Sequence, residues 1–154
     1  MELQFKKLAP DMADEFLQYF DHDAFSDHEE WSGCYCLESH LKKDENEAYT
    51  TKEERREKAK ELILQGVMNG YLIYDEDKVI GWCNAGDKMD YAPVCENEAF
   101  FTDKLEKGMI KILYCIDIAP AYRGKGIANQ VIKRVLEDAR EEGYLYVEGY
   151  PFTD

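Results

Sequence analysis

The stretch from Lys111 to Asp138, KILYCIDIAPAYRGKGIANQVIKRVLED, decides how the chain folds. Ile112, Leu113, Tyr114, Cys115, Ile116 and Ile118 are apolar, aromatic or β-branched, with Asp117 as the one interruption. Such a run fits a strand covered on both faces. Ala119-Pro120 ends it. In Arg123-Gly124-Lys125-Gly126-Ile127-Ala128 the glycines allow close backbone approach, and a helix begins at once. The free N–H groups and partial positive charge of a helix N-terminus suit a phosphate. Arg123 and Lys125 add cationic side chains at the same end. A dinucleotide fingerprint would need glycine where the chain has Asn129, and a P-loop would need Ser or Thr where it has Gly126.

Working outward, Ile127, Val131, Ile132, Val135, Leu136 and Ala139 recur at helical spacing and predict a buried face on a helix from Gly124 to about Glu142. Gly143 caps it, and Tyr144–Tyr150 predicts a last strand. Strand, helix and strand of this length form a right-handed crossover, so the last two strands run parallel. Upstream, Leu3–Leu8 alternates as a first strand, and Pro10 opens a helix with Met12, Ala13, Phe16, Leu17 and Phe20 at helical spacing. Trp31–Ser39, WSGCYCLES, alternates and favours a strand over a short helix. Thr51 and Glu54 make a capping box. The helix behind them is expected to bury Ala59, Leu62, Ile63, Val67 and Met68 and to stop at Asn69-Gly70. Tyr71–Tyr74 and Lys78–Cys83 predict a hairpin across Asp75-Glu76-Asp77. From Asp87 to Gly108 no period holds; this long irregular segment carries Tyr91, Phe100 and Phe101, either to cover a substrate or to patch the core.

A chain of 154 residues, 45% hydrophobic and 13% aromatic, suits a single domain with a real core and excludes disorder. It contains no apolar run near the ~18 residues of a membrane span, and its first residues do not resemble a signal peptide. A cytoplasmic location is expected. Cys34, Cys36, Cys83, Cys95 and Cys115 contain no CxxC pair and are odd in number, which predicts reduced, mostly buried thiols. Cys34, Cys36 and His40 lack a second ligand pair, so no metal is expected. The net charge of −14 argues against a nucleic-acid partner, and no membrane partner is expected either. Between Leu8 and Leu41 there is no Lys or Arg among many Asp and Glu. That segment reads as a solvated acidic face, or as a funnel for a cationic amine.

Ile118, Pro120, Arg123, Gly124, Gly126, Ile127 and Ala128 follow the pattern V-x-P-x-x-R-G-x-G-I-G/A, and here the chain resembles the GNAT superfamily of acyl-CoA-dependent N-acetyltransferases. It departs at Ala121, where that family usually has Gln or Arg. The resemblance covers about residues 3–150 and implies an α/β fold, a central mixed sheet flanked by helices whose last two strands splay to admit a pantetheine arm. It implies acetyl-CoA as co-substrate, with main-chain contacts from Ile116 and Ile118, and with Arg123, Gly124, Lys125, Gly126, Ile127 and Ala128 around the pyrophosphate. It further implies N-acetyl transfer by direct attack of a primary amine of a small molecule or peptide. Some members carry a similar Trp-x-x-Cys-x-Cys stretch near the acceptor.

Catalytic candidates are Asp117, beside the thioester, and Tyr114, as proton donor to the leaving thiolate. Alternation places Asp117 opposite a face shared by Tyr114, Ile116 and Ile118, and a plain core aromatic is the other reading of Tyr114. Glu29, Glu30 and Glu148 are further candidate bases; His22, His28 and His40 read as surface or capping residues. Such domains usually continue with another helix and two strands, so the domain is expected to be C-terminally short. An open last strand then predicts a homodimer. The alternative function is a non-catalytic acyl-CoA-binding module, or an incomplete domain that needs a partner segment.

Overall fold

The computed structural model describes residues 2–151. In chain order it runs β1 (Leu3–Lys7), α1 (Ala13–His22), α2 (Lys43–Glu47), α3 (Lys52–Leu64), β2 (Gly70–Asp75), β3 (Lys78–Asp87), α4 (Ala92–Cys95), β4 (Ile110–Ile118), α5 (Ile127–Glu141) and β5 (Tyr146–Gly149). The strands form one sheet in sequence order. Each neighbouring pair is antiparallel except β4 and β5, which run parallel around α5. This is the expected mixed α/β sheet.

Helices cover both faces. On one side α1 and α3 bury Phe16, Leu17, Phe20 and Ile63 against Leu72 and Trp82. Phe16 meets the Trp82 ring edge-on at 4.9 Å, the geometry aromatic quadrupoles favour. On the other side α5 lays Ile127, Val131 and Val135 on Ile73, Ile80 and Cys83. Ile132 and Leu136, expected in the core, are 41% and 49% exposed. The buried stripe, Ile127, Val131, Val135 and Ala139, is one residue wide per turn.

The capping box forms with a shift. The Glu54 N–H donates to Thr51 Oγ1 at 3.1 Å, while the Glu54 carboxylate accepts from the Thr50 N–H, one residue before the cap. The helix ends at Leu64 rather than at Asn69. Gly66, at φ +72°, takes the left-handed turn, and the Val67 N–H reaches back to Leu62 O. Met68 is buried as expected, whereas Val67 is exposed.

Trp31–Ser39 is not a strand. Single 3-10 turns occupy Glu29–Trp31 and Leu37–Ser39, and Tyr35 and Cys36 both adopt left-handed backbone angles. Consecutive Tyr35, Cys36 and Leu37 are all buried, which alternation forbids. Backbone carbonyls of this segment are claimed by a side chain instead of a neighbouring strand: the Arg55 guanidinium donates to Gly33 O at 2.5 Å and Cys34 O at 3.3 Å.

The irregular segment after β3 is fastened from below. Lys88, fully buried, donates to Phe100 O at 2.6 Å, Thr102 Oγ1 at 2.7 Å and Glu148 Oε2 at 2.9 Å, so all its donors are used. Tyr91 patches the core, while Phe101 is exposed.

Candidate active site

β5 pairs with β4 only over Ile110–Leu113. From Tyr114 to Ile118, β4 keeps its β3 neighbour and, among the described residues, has no strand on the other side. The two parallel strands therefore part midway. Beside the parting lies a cavity of about 640 Å³, with Tyr114, Cys115, Cys36, Glu38, Phe100 and Gly149 among its lining residues.

A β-bulge sits at this point. Asn84 pairs with Cys115 and Ala85 with Leu113, so Tyr114 is the extra residue. The bulge breaks the strand's alternation and corrects the expected facing. Tyr114 stacks near Tyr91, at 6.0 Å, on the α1 side, and Cys115 packs there too. Ile116 and Ile118 point toward α5. Asp117 accepts a hydrogen bond at 3.0 Å from the hydroxyl of Tyr19 on α1. Tyr114 and Asp117 thus share one side of the sheet, and Tyr114 does not share a face with Ile116 and Ile118.

The open half of β4 leads directly into the glycine turn. Gly124 and Gly126 have φ of +75° and +76°, left-handed values that favour glycine, and a Cβ at either would meet nothing. Glycine is there for backbone shape, and the space over the turn is free. Among the described residues, the N–H groups of Gly124, Lys125, Gly126, Ile127 and Ala128 make no hydrogen bond, and no side chain caps α5. Several free donors at one helix start form a cradle for an anion. Ile127 offers only its main chain, since its side chain is core. Arg123 folds back, donating to Ile118 O at 2.9 Å and to Asp27 at 2.7 Å, and Lys125 lies over the Tyr122 ring.

Electrostatics separate the two catalytic candidates. Asp117 is 9% exposed, and burial pushes its carboxyl up to about 6 against the opposing pull of Tyr19 and Arg123. Burial also pushes the Tyr114 hydroxyl above its ordinary range. Tyr114 lines the cavity, and its hydroxyl makes no hydrogen bond among the described residues. Glu38 lies on the cavity wall without an ion-pair partner among them. The other candidate bases are committed or remote. Glu148 is held by Lys88 and Tyr150, Glu30 pairs with surface His28, and Glu29 is exposed. His22 is exposed, whereas His40 is a packed residue: its Nδ1 faces Asp90 O and its ring lies on Tyr91.

Two residues of the site went unnoticed in the sequence. Tyr19 falls three positions after Phe16, on the buried stripe of α1, and that spacing was available as a signal. Asn84 is a polar residue at the end of an apolar run, and it lies at the bulge fully buried. Among the described residues no group of three or more His, Cys, Asp or Glu is placed to hold a metal ion, and no helix is long and apolar enough to cross a membrane.

The acetyltransferase (GNAT) family model matches residues 10–151, and the chain belongs to that family. No curated protein sequence matches it. Solved structures with the same fold include the aminoglycoside N-acetyltransferase AAC(6')-Iy in complex with CoA, at 11% identity and a TM-score of 0.56, covering 98% of this chain and 78% of that one. A ribosomal-protein-alanine N-acetyltransferase from Brucella melitensis biovar Abortus 2308 is similar at 13% identity and a TM-score of 0.58, covering 98% and 81%. An aminoglycoside acetyltransferase from an uncultured soil metagenomic sample, bound to sisomicin, is similar at 14% identity and 0.59, covering 98% and 78%. At these identities the likeness establishes the fold.

Proposed function

We propose that this chain transfers the acetyl group of acetyl-CoA to a primary amine of a small molecule or peptide by direct attack. One observation carries the reading: the half of β4 that β5 leaves open leads, through one short 3-10 turn, to free N–H groups at the start of α5. In it, the main chains of Gly124 to Ala128 hold the pyrophosphate, with Lys125 beside them. The open edge of β4 at Ile116 and Ile118 offers main-chain partners to the pantetheine amides. The CoA thioester supplies an electrophilic carbonyl. CoA and amine acceptors in the structural relatives support the same assignment.

Proton handling falls to residues on the α1 side. An amine is mostly protonated at neutral pH and must lose a proton to attack. Asp117, ionised at pH 7 yet more basic than an ordinary carboxylate, takes that proton directly or through water, and Tyr19 holds it in place. Tyr114 keeps its proton at neutral pH and delivers it to the departing thiolate. Glu38, unpaired on the cavity wall, draws the cationic amine in. Two other acidic residues of the same segment are spent internally, Asp21 on Arg56 and Asp27 on Arg123. A second copy pairing on the outer edge of β5 belongs to the same reading, and a monomeric mass by sedimentation would count against it.

Calorimetric titration with acetyl-CoA tests the central claim. The parent chain should bind. Gly126→Trp should not, because a bulky side chain at a left-handed position both strains the turn and fills the space over it. Unchanged circular dichroism must accompany that loss. Equal binding by both chains would remove the cradle from the site.

A further inference from the structure

Three of the cysteines meet on one wall. Cys34, Cys36 and Cys115 all line the cavity beside the parting of β4 and β5. Cys36 belongs to the loop fastened by Arg55, and Cys115 stands next to the bulged Tyr114. Asn84 joins them. It is the register partner of Cys115, and its Nδ2 donates to Cys36 Sγ at 3.1 Å and to Ser39 Oγ at 2.9 Å. Tyr91 donates to Asn84 Oδ1 at 2.6 Å, which fixes the amide so that its N–H groups face the sulfur.

Cys36 itself is held in a left-handed conformation at φ 57°, uncommon for a residue with a side chain. Ser39 Oγ, donating to Cys36 O at 2.7 Å, helps to keep it there. Such local strain is concentrated at functional positions. Cys115 stands beside Cys36 on this wall, since Asn84 is opposite Cys115 in the sheet and bonds the Cys36 sulfur. The neighbouring Cys115 thiol, aided by Asn84 and opposed by burial, holds the Cys36 thiol below its ordinary range, while Cys115 is pushed above it. The buried indole N–H of Trp82 has no acceptor of its own, and it too favours a negative sulfur at Cys36. The other thiols lack this setting. Burial pushes Cys83 up to about 12, and Cys95 points at Lys88 O.

A thiolate-prone sulfur beside a protonated one on a cavity wall is the arrangement of a reactive cysteine and its resolving partner. We propose that Cys36 and Cys115 form a hydroperoxide-reactive dithiol site on the cavity wall. The Cys36 thiolate attacks the peroxide O–O bond, becoming a sulfenic acid while the other oxygen leaves, after protonation, as an alcohol or water. The Cys115 thiol then displaces hydroxide from the Cys36 sulfur, and the products are a disulfide and water. Cys36 and Cys115 together lose two electrons and two protons, and the peroxide is reduced. The bridge locks the Trp31–Ser39 loop to β4 along the cavity wall, so that the wall can no longer adjust around a substrate, and acetyl transfer stops. That last consequence rests on the proposed function; the thiol chemistry does not.

The test treats the full chain with a small excess of hydrogen peroxide, quenches with acid, alkylates under denaturing conditions and maps peptides. Cys36 and Cys115 should lose alkylation together, the mass should fall by two hydrogens, and dithiothreitol should restore both. Cys34, Cys83 and Cys95 should keep their labels. In Cys115→Ser, Cys36 should stop at a sulfenic acid that dimedone captures; if that variant does not fold, the parent map alone decides. Cys36 still fully alkylated after peroxide, or a bridge that includes Cys34, overturns the site. Acetyl transfer unchanged in a bridged chain overturns the loss of transfer on bridging, whereas absence of transfer from the reduced chain speaks against the enzyme reading alone.

Discussion

Asp117 carries a charge that its surroundings make costly, and that cost is measurable. Its folded pKa of about 6 lies above the ordinary 3.8. The folded state therefore binds the proton more tightly than the unfolded chain does. This contribution to stability is full below about pH 4 and is lost as pH rises through 6. The difference amounts to about 3 kcal/mol. Asp117→Asn should flatten that part of the stability curve and make the protein about 2 kcal/mol more stable at pH 8 by denaturant titration. The same variant should lower kcat/KM about 100-fold and erase an acidic limb near pH 6 in the rate profile. A rate profile unchanged by the substitution would remove Asp117 from proton transfer. Tyr114→Phe should reduce kcat by about 100-fold with KM little changed, because a proton donor to the leaving group acts only in the transition state.

At the scale of elements, the wall of the cavity depends on Lys88. Its ammonium joins the turn after β3, the loop at Phe100–Thr102 and β5 through Glu148. Lys88→Met would leave these acceptors without a donor, and chemical denaturation should show a loss of about 3 kcal/mol. Much of this architecture was legible in the sequence because its signals are local. The strand of Ile112–Ile118, the two glycines and the amphipathic helix stand side by side in the chain. Thr51 and Glu54 are three residues apart. The bulge at Tyr114 was not legible, because it is a relation between the registers of β3 and β4, and no window on one strand contains it. Trp31–Ser39 misled for a similar reason: its period of two is real, but Arg55, 21 and 22 residues from Cys34 and Gly33, takes their carbonyls. The strand, the glycine turn and the helix start were therefore legible in the sequence, while the shared side of Tyr114 and Asp117 needed the fold.

Over the whole molecule, net charge and site act together. A chain of charge −14 with unpaired Glu38 at its cavity should attract a cationic acceptor from a distance. Raising ionic strength should increase the KM for a cationic amine, since exposed charges are screened within about 8–10 Å at physiological salt. Glu38→Gln should raise KM by about fivefold, the size of a surface ion pair, and blunt that salt dependence with kcat unchanged. The parting of β4 from β5 has one more consequence, visible without any substrate. Along Ile110–Leu113 the amides of β4 sit between two strands, but beyond Tyr114 alternate amides have nothing opposite them. Deuterium uptake should therefore change character halfway along a single strand, slow throughout its first half and alternating fast and slow in its second. This one strand is finished at one end and left open at the other, and whatever pairs with that open end should make its exchange uniform.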